Sequence, residues 1–203
     1  TLAYTASDAE VTINLGTGTS DGGHAEGDTL GGFGSVVGSN YDDQLTGDLG
    51  NNTLSGGAGD DVLEGRDGND IIEGGLGSDV YVFGAEAGMD SVEEIGGADD
   101  LLRFDHVNSI EGLDLHRGPQ PGSSWEGTLF IGHGANSQVE VKNQFASHGG
   151  HLVETLELGN GSQFTMHTGT TGGVDADILL GRSVVDYLKG NDGSDFLSAG
   201  AND

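Results

Sequence analysis

Residues 38–82 divide into five consecutive nines: GSNYDDQLT, GDLGNNTLS, GGAGDDVLE, GRDGNDIIE and GGLGSDVYV. Position six holds Asp43, Asn52, Asp61, Asp70 and Asp79, and position eight holds Leu45, Leu54, Leu63, Ile72 and Tyr81. The frame returns over 172–198 as GGVDADILL, GRSVVDYLK and GNDGSDFLS. There Asp177, Asp186 and Asp195 stand at six, with Leu179, Leu188 and Leu197 at eight. A glycine-rich flexible linker keeps no fixed apolar position, whereas a stacked repeat must.

Each nine has a physical reading. Glycines at positions one, two and four permit positive φ and a tight turn. Such a turn can aim several backbone carbonyls at one point, and the position-six carboxylate adds charge there. An all-oxygen ligand set without His or Cys suits Ca²⁺, which takes about 6–8 oxygens, better than Mg²⁺, which keeps its waters. Positions seven to nine leave room for one short strand, whose middle, apolar residue faces one side. One unit buries a single side chain, so only a stack of units can build a core.

GGAGDDVLE and GGLGSDVYV follow the pattern G-G-x-G-x-D-x-U-x, and the chain resembles the RTX, or haemolysin-type calcium-binding, family. The resemblance implies an all-β fold: a parallel β-roll of calcium-stacked nonapeptides, two to a turn, with an attached β-rich domain and a second short β-roll. A Ca²⁺ would sit between one unit and the next but one. That pairs Asp43 with Asp61, Asp61 with Asp79, Asn52 with Asp70, and Asp177 with Asp195. For the Asp61/Asp79 site it implies carbonyl ligands from Gly57, Gly59, Gly74 and Leu76. Asp90 in GMDSV and Asp100 in GGADDLL lie in broken repeats and are further candidate ligands. Asn52 lacks a charge, which weakens its site. GRSVVDYLK carries Val184 where glycine is expected, which counts against Asp186. Tyr41 and Asn40 in the first nine mark a terminal unit.

Composition points the same way. The 203 residues include 40 Gly, no Cys, 34 acidic and 6 basic residues, for a formal charge of −28. A nucleic-acid partner would need a basic face, and a polybasic membrane anchor has the wrong sign. No run approaches the ~20 apolar residues of a spanning helix, so no membrane insertion is expected. The absence of Cys removes disulfides and thiolate sites. A chain this acidic repels itself when compact, which predicts that a cation must bind before it folds. Residues 1–100 carry 21 acidic residues against the single Arg66, so the calcium sites concentrate there.

Three divisions are expected: lead-in strands and main roll over 1–100, a β-rich domain over 101–171, and a second repeat block over 172–203. VTINL (11–15) reads as a lead-in strand, and Glu26 and Asp28 are candidates to close the first site. Tyr81, Val82 and Phe83 read as a cap over the end of the apolar ladder. LLRF, TLFI (128–131), VEVKNQF (139–145), VETLEL (153–158) and QFTM (163–166) read as strands, with a short helix near VNSIEGLDL. The order of these middle segments resembles the haemolysin-type calcium-binding related domain that sits between RTX blocks.

Catalytic signatures are absent: there is no G-x-S-x-G elbow and no H-E-x-x-H. His148 and His151 read as surface residues of a turn, and Trp125 as a ring packed on its own sheet. The expectation is therefore a non-enzymatic calcium-binding module of a large secreted bacterial protein, located outside the cell or on its surface. The family resemblance implies export by a type I secretion apparatus and folding on Ca²⁺ outside the cell. No N-terminal signal is visible and the chain stops within a repeat, so it reads as part of a longer protein. The alternative is a calcium-dependent carbohydrate-binding or adhesin module, or the repeat module of a polysaccharide-modifying enzyme, with extracellular polysaccharide as partner.

Overall fold

The computed structural model describes residues 1–85, 87–97, 99–117, 128–142, 153–167, 177–180 and 196–198. Positions seven to nine of each main-roll unit form the expected short strands. Gln44–Thr46, Val62–Glu64 and Val80–Phe83 lie in one sheet, while Thr53–Ala58 and Ile71–Leu76 lie in the other. Consecutive units thus alternate between two facing sheets. Pairing within each sheet is parallel and skips one unit: Leu45 opposes Leu63, Leu63 opposes Tyr81, and Leu54 opposes Ile72. This is a β-roll with two nonapeptides per turn.

The position-eight side chains meet between the sheets. Leu45, Leu54, Leu63, Ile72 and Tyr81 are fully buried. Two apolar ladders result. One runs Val36, Leu54, Ile72, Val92 and Val141, and the other Ile13, Leu45, Leu63, Tyr81, Leu102 and Leu156. Burying each aliphatic rung is worth about 1.5–3 kcal/mol. No single unit could bury its rung without the neighbours above and below.

Tyr81, Val82 and Phe83 do not cap the ladder. They pair with Leu101–Phe104, which in turn pairs with Thr155–Leu158, so the sheet continues. Tyr81 fits because its ring fills a rung while its hydroxyl reaches the polar corner of the turn. The other sheet continues from Met89–Glu93 to Gln138–Lys142 in parallel, then to Leu129–Gly132 and Asp114–Arg117 by antiparallel pairing. The expected middle strands are present, within a residue or two at their described ends; that of VEVKNQF is Gln138–Lys142, with 143–145 outside the described residues, and the short helix near VNSIEGLDL is a 3₁₀ turn at Ile110–Gly112. Sheet pairing runs on from each expected division to the next: Leu101–Phe104 continues the roll, and Gln163–His167 pairs with Asp177–Leu180. In the C-terminal block Leu179 opposes Leu197, the same two-unit step as in the main roll.

Near the start, Thr12–Asn14 pairs with Gln44–Thr46 and supplies the rung Ile13, as the lead-in reading requires. Among the described residues no helix is long and apolar enough to cross a membrane.

Candidate metal centre

The strands hold position six at the corners of the roll, where the chain turns from one sheet to the other. Asp43, Asn52, Asp61, Asp70, Asp79, Asp90 and Asp100 are all buried. They form two columns of side chain bonded to backbone. The Asp43 N–H donates to Asp61 Oδ1 at 2.7 Å, Asp61 N–H to Asp79 Oδ1 at 2.9 Å, and Asp79 N–H to Asp100 Oδ1 at 2.8 Å. On the opposite corner, Asn52 N–H donates to Asp70 Oδ1 at 2.8 Å and Asp70 N–H to Asp90 Oδ1 at 2.9 Å. The expected main-roll pairs of position-six residues are therefore neighbours, and Asp90 and Asp100 extend their columns although their repeats are broken.

Each of these bonds uses one carboxylate oxygen. The second oxygens of Asp61, Asp70, Asp79 and Asp100 are buried and have no hydrogen-bond partner. A buried, unpaired anion is costly, since desolvation disfavours charge unless a counter-charge sits beside it. Burial accordingly pushes the carboxyl of Asp61 up to about 7, Asp70 to about 6, Asp90 to about 7 and Asp100 to about 8, and it raises Asp79. For Asp61, Asp70 and Asp100, charges on neighbouring acidic residues add to the rise. The free oxygens thus face a requirement for positive charge.

Backbone carbonyls stack from turn to turn, and that of Gly74 lies beside the Asp61 carboxylate. A methyl group at Gly56 would lie 2.1 Å from Asp61 Oδ2 and 2.7 Å from the Gly74 carbonyl oxygen. One at Gly65 would lie 2.2 Å from Asp70 Oδ2. Position one must be glycine because its missing side chain is the space beside the free carboxylate oxygen. At position two, Gly57 and Gly75 adopt φ of +120° and +119°, which an L side chain resists. The Gly57 carbonyl stacks under Gly75, the Gly59 carbonyl stacks under Gly77, and the Leu76 carbonyl accepts the Gly59 N–H at 2.8 Å. Hard oxygen donors with net negative charge and no nitrogen or sulfur donor fit Ca²⁺.

Two early members of the columns differ. The Asp43 carboxylate is engaged by protein donors: Val11 N–H at 2.7 Å, the Ser39 hydroxyl at 2.9 Å and the Ser39 N–H. The Asn52 side-chain carbonyl accepts the Asp48 N–H at 2.7 Å. Asp28 accepts the Tyr4 hydroxyl at 2.8 Å, and Glu26 is exposed, so neither closes the first site; Val11 N–H ends that column instead. Asp177 opens the strand Asp177–Leu180. Asp186 and Asp195, with Trp125, His148 and His151, lie outside the described residues.

Three features escaped the sequence reading. Glu154 Oε2 accepts the Asp100 N–H at 2.8 Å and so takes the next place in the first column, 54 residues on. No local spacing signals it. Position five forms an outer, exposed column: Asp42 accepts the Asp60 N–H at 2.9 Å, and Asp60 accepts the Ser78 N–H at 2.8 Å. The repeated Asp or Asn at position five was the available signal. Glu94 is buried at a corner, with Asp79 and Asp100 close by.

The sequence pattern of the RTX calcium-binding nonapeptide repeat matches the chain in four copies, over 29–63, 37–72, 46–81 and 171–203. A comparison with curated proteins gives no match. The matched segments coincide with the main roll and with the C-terminal block in which Leu179 opposes Leu197. The chain therefore carries RTX calcium-binding nonapeptide repeats folded as a parallel β-roll, and repeats of this type imply Ca²⁺.

Proposed function

We propose that this chain is the calcium-dependent folding module of a secreted bacterial protein. The observation that carries the reading is the set of buried carboxylate oxygens without partners on Asp61, Asp70, Asp79 and Asp100. Bound Ca²⁺ supplies the positive charge that these oxygens lack. The rest follows from the chain. Without a counter-charge, the −28 charge and the buried anions oppose compaction. Binding restricted to the folded form stabilises that form by mass action. Calcium is scarce inside a bacterial cell and abundant outside, so the chain stays extended during export through a type I apparatus and folds after release. In this reading the chain is not itself an enzyme. The ligands are Asp61, Asp70, Asp79, Asp90 and Asp100, with carbonyls from Gly57, Gly59, Gly74 and Leu76, and Asp177 and Asp195 in the second block. Circular dichroism in EDTA and then in millimolar Ca²⁺ tests this: a disordered spectrum should give way to a β spectrum. The same folded spectrum in both would refute it.

A second reading rests on a different observation. An open cleft of about 560 Å³ beside the antiparallel strands is lined by both apolar residues, Met89 and Leu113 among them, and polar ones, including Glu111, Asp114, Asn136 and Gln138. Its mixed lining suits the hydroxyls and apolar faces of an extracellular polysaccharide, as in a carbohydrate-binding or adhesin module. A glycan array with and without EDTA discriminates: calcium-dependent binding favours this reading, and no binding removes it.

A further inference from the structure

The spacing of position-six residues slips in the last turns of the roll. Asp61 and Asp79 are 18 residues apart, but Asp79 and Asp100 are 21 apart. If Asp100 is the sixth residue of its unit, that unit starts at Ile95, and Glu94 is an extra residue between it and the strand Met89–Glu93. An inserted acidic residue would be expected to point to solvent. Glu94 is instead 3% exposed.

Its surroundings hold it inward. Glu94 Oε1 accepts the N–H groups of Ile95 at 2.8 Å and Gly96 at 2.9 Å. Glu94 Oε2 accepts the Tyr81 hydroxyl, which itself accepts the Gly74 N–H at 3.0 Å. So oriented, Glu94, Asp79 and Asp100 each bring one carboxylate oxygen within 4.8 Å of the others. Asp79 and Asp100 are fully buried, and Oδ2 of each has no partner. Among the described basic side chains, Arg103 pairs with Glu157, Lys142 with Glu93, and Arg66 lies beside Glu64. Hydrogen bonds from two amides and a phenol do not balance three clustered anions.

We propose that Asp79, Glu94 and Asp100 form a three-carboxylate Ca²⁺ site where the roll meets the following strands, with Glu94 as a side-chain ligand that the nonapeptide pattern does not encode. The proposal rests on the calcium reading above. It goes further in naming a ligand from outside the repeat and in ranking the sites. Calcium affinity rises with the number of charged ligands and with the rigidity of the site. Glu94 adds a third charge where the nonapeptide pattern supplies two, and it is fixed by three hydrogen bonds. This site therefore fills first and orders the junction before the rest of the roll. Tyr81 makes it observable, since its phenol touches Glu94 and can sensitise a bound lanthanide.

The experiment is a titration of the full chain with Tb³⁺, read by tyrosine-excited emission. The wild type should show an emission phase complete at the first equivalent. Glu94→Gln keeps an acceptor for the Tyr81 hydroxyl, and it should move that phase to about tenfold higher Tb³⁺. Tyr81→Phe should abolish the first-equivalent emission. An unchanged midpoint in Glu94→Gln would make Glu94 only the acceptor for Tyr81 and overturn the proposal. So would first-equivalent emission that survives in Tyr81→Phe, even if the glutamine variant fails to fold. Calorimetry with Ca²⁺ on the wild type separates the two levels: no binding at all sinks the calcium reading as well, whereas binding with an unmoved Glu94→Gln sinks this inference only.

Discussion

The backbone N–H of Asp61 donates to the carboxylate of Asp79, 18 residues ahead, at 2.9 Å, while Asp61's own carboxylate accepts the N–H of Asp43 at 2.7 Å. Asp61, like Asp70, Asp79 and Asp100, thus fixes the unit one turn before it with one oxygen and keeps the other free. The candidate metal site and the stacking of the roll draw on the same residues.

This double duty separates Asp61 from Asp43. Asp61→Ala removes an acceptor from a buried N–H, a cost of about 1–3 kcal/mol, together with a free ligand oxygen. The Asp43 carboxylate is occupied by Val11 and Ser39. Calcium-titration midpoints should therefore rise markedly for Asp61→Ala and little for Asp43→Ala. Equal midpoints would count against the arrangement.

Gly56→Ala should abolish the site that Asp61 serves, because the new methyl would overlap both Asp61 Oδ2 and the Gly74 carbonyl. A methyl group at Gly31 would meet nothing within 4 Å, so Gly31→Ala is the control. Calorimetric stoichiometry should fall by one or more Ca²⁺ in the first variant and stay constant in the second.

The calcium-loaded fold should depend on rungs far more than on surface ion pairs. Leu63→Ala empties a fully buried position and should cost about 2–5 kcal/mol. Arg103→Ala breaks a cross-strand pair with Glu157, 2.8 Å long but partly exposed, and should cost at most about 1 kcal/mol. Denaturant melts at saturating calcium compare them directly.

His133 sets a pH dependence that is separate from the carboxylates. It is buried against Phe104, with ring centroids 5.1 Å apart, and burial, followed by the nearby His106, lowers its pKa to about 4. Unfolded histidine titrates near 6.5. Between about 6.5 and 4 the unfolded chain holds the extra proton, so stability falls as pH drops through that window. The slope from one proton is at most about 1.4 kcal/mol per pH unit. His133→Phe should lose less stability than the wild type between pH 7 and pH 5. Parallel losses in melts of the two proteins would remove His133 as the cause.

The repeat and its buried rung are legible in the residues alone, and the family resemblance supplies the roll with two units to a turn. A rung every nine residues and an aspartate two places before it are local features, and they assign Leu45, Leu54, Leu63, Ile72 and Tyr81 to the interior. The pairing of Asp61 with Asp79 followed once two units were set per turn, because a periodic stack repeats one neighbour relation. Tertiary structure decided what periodicity does not carry. Tyr81 continues the ladder instead of capping it because Leu101–Phe104 is there to pair with, which depends on chain beyond the repeats. Glu154 completes the Asp100 column from 54 residues away, and no spacing rule reaches that far. Glu94 turns inward because a one-residue slip in register, two amides and the Tyr81 hydroxyl hold it there. Repeats report contacts between equivalent residues; where equivalence fails, only packing says which carboxylate faces the interior.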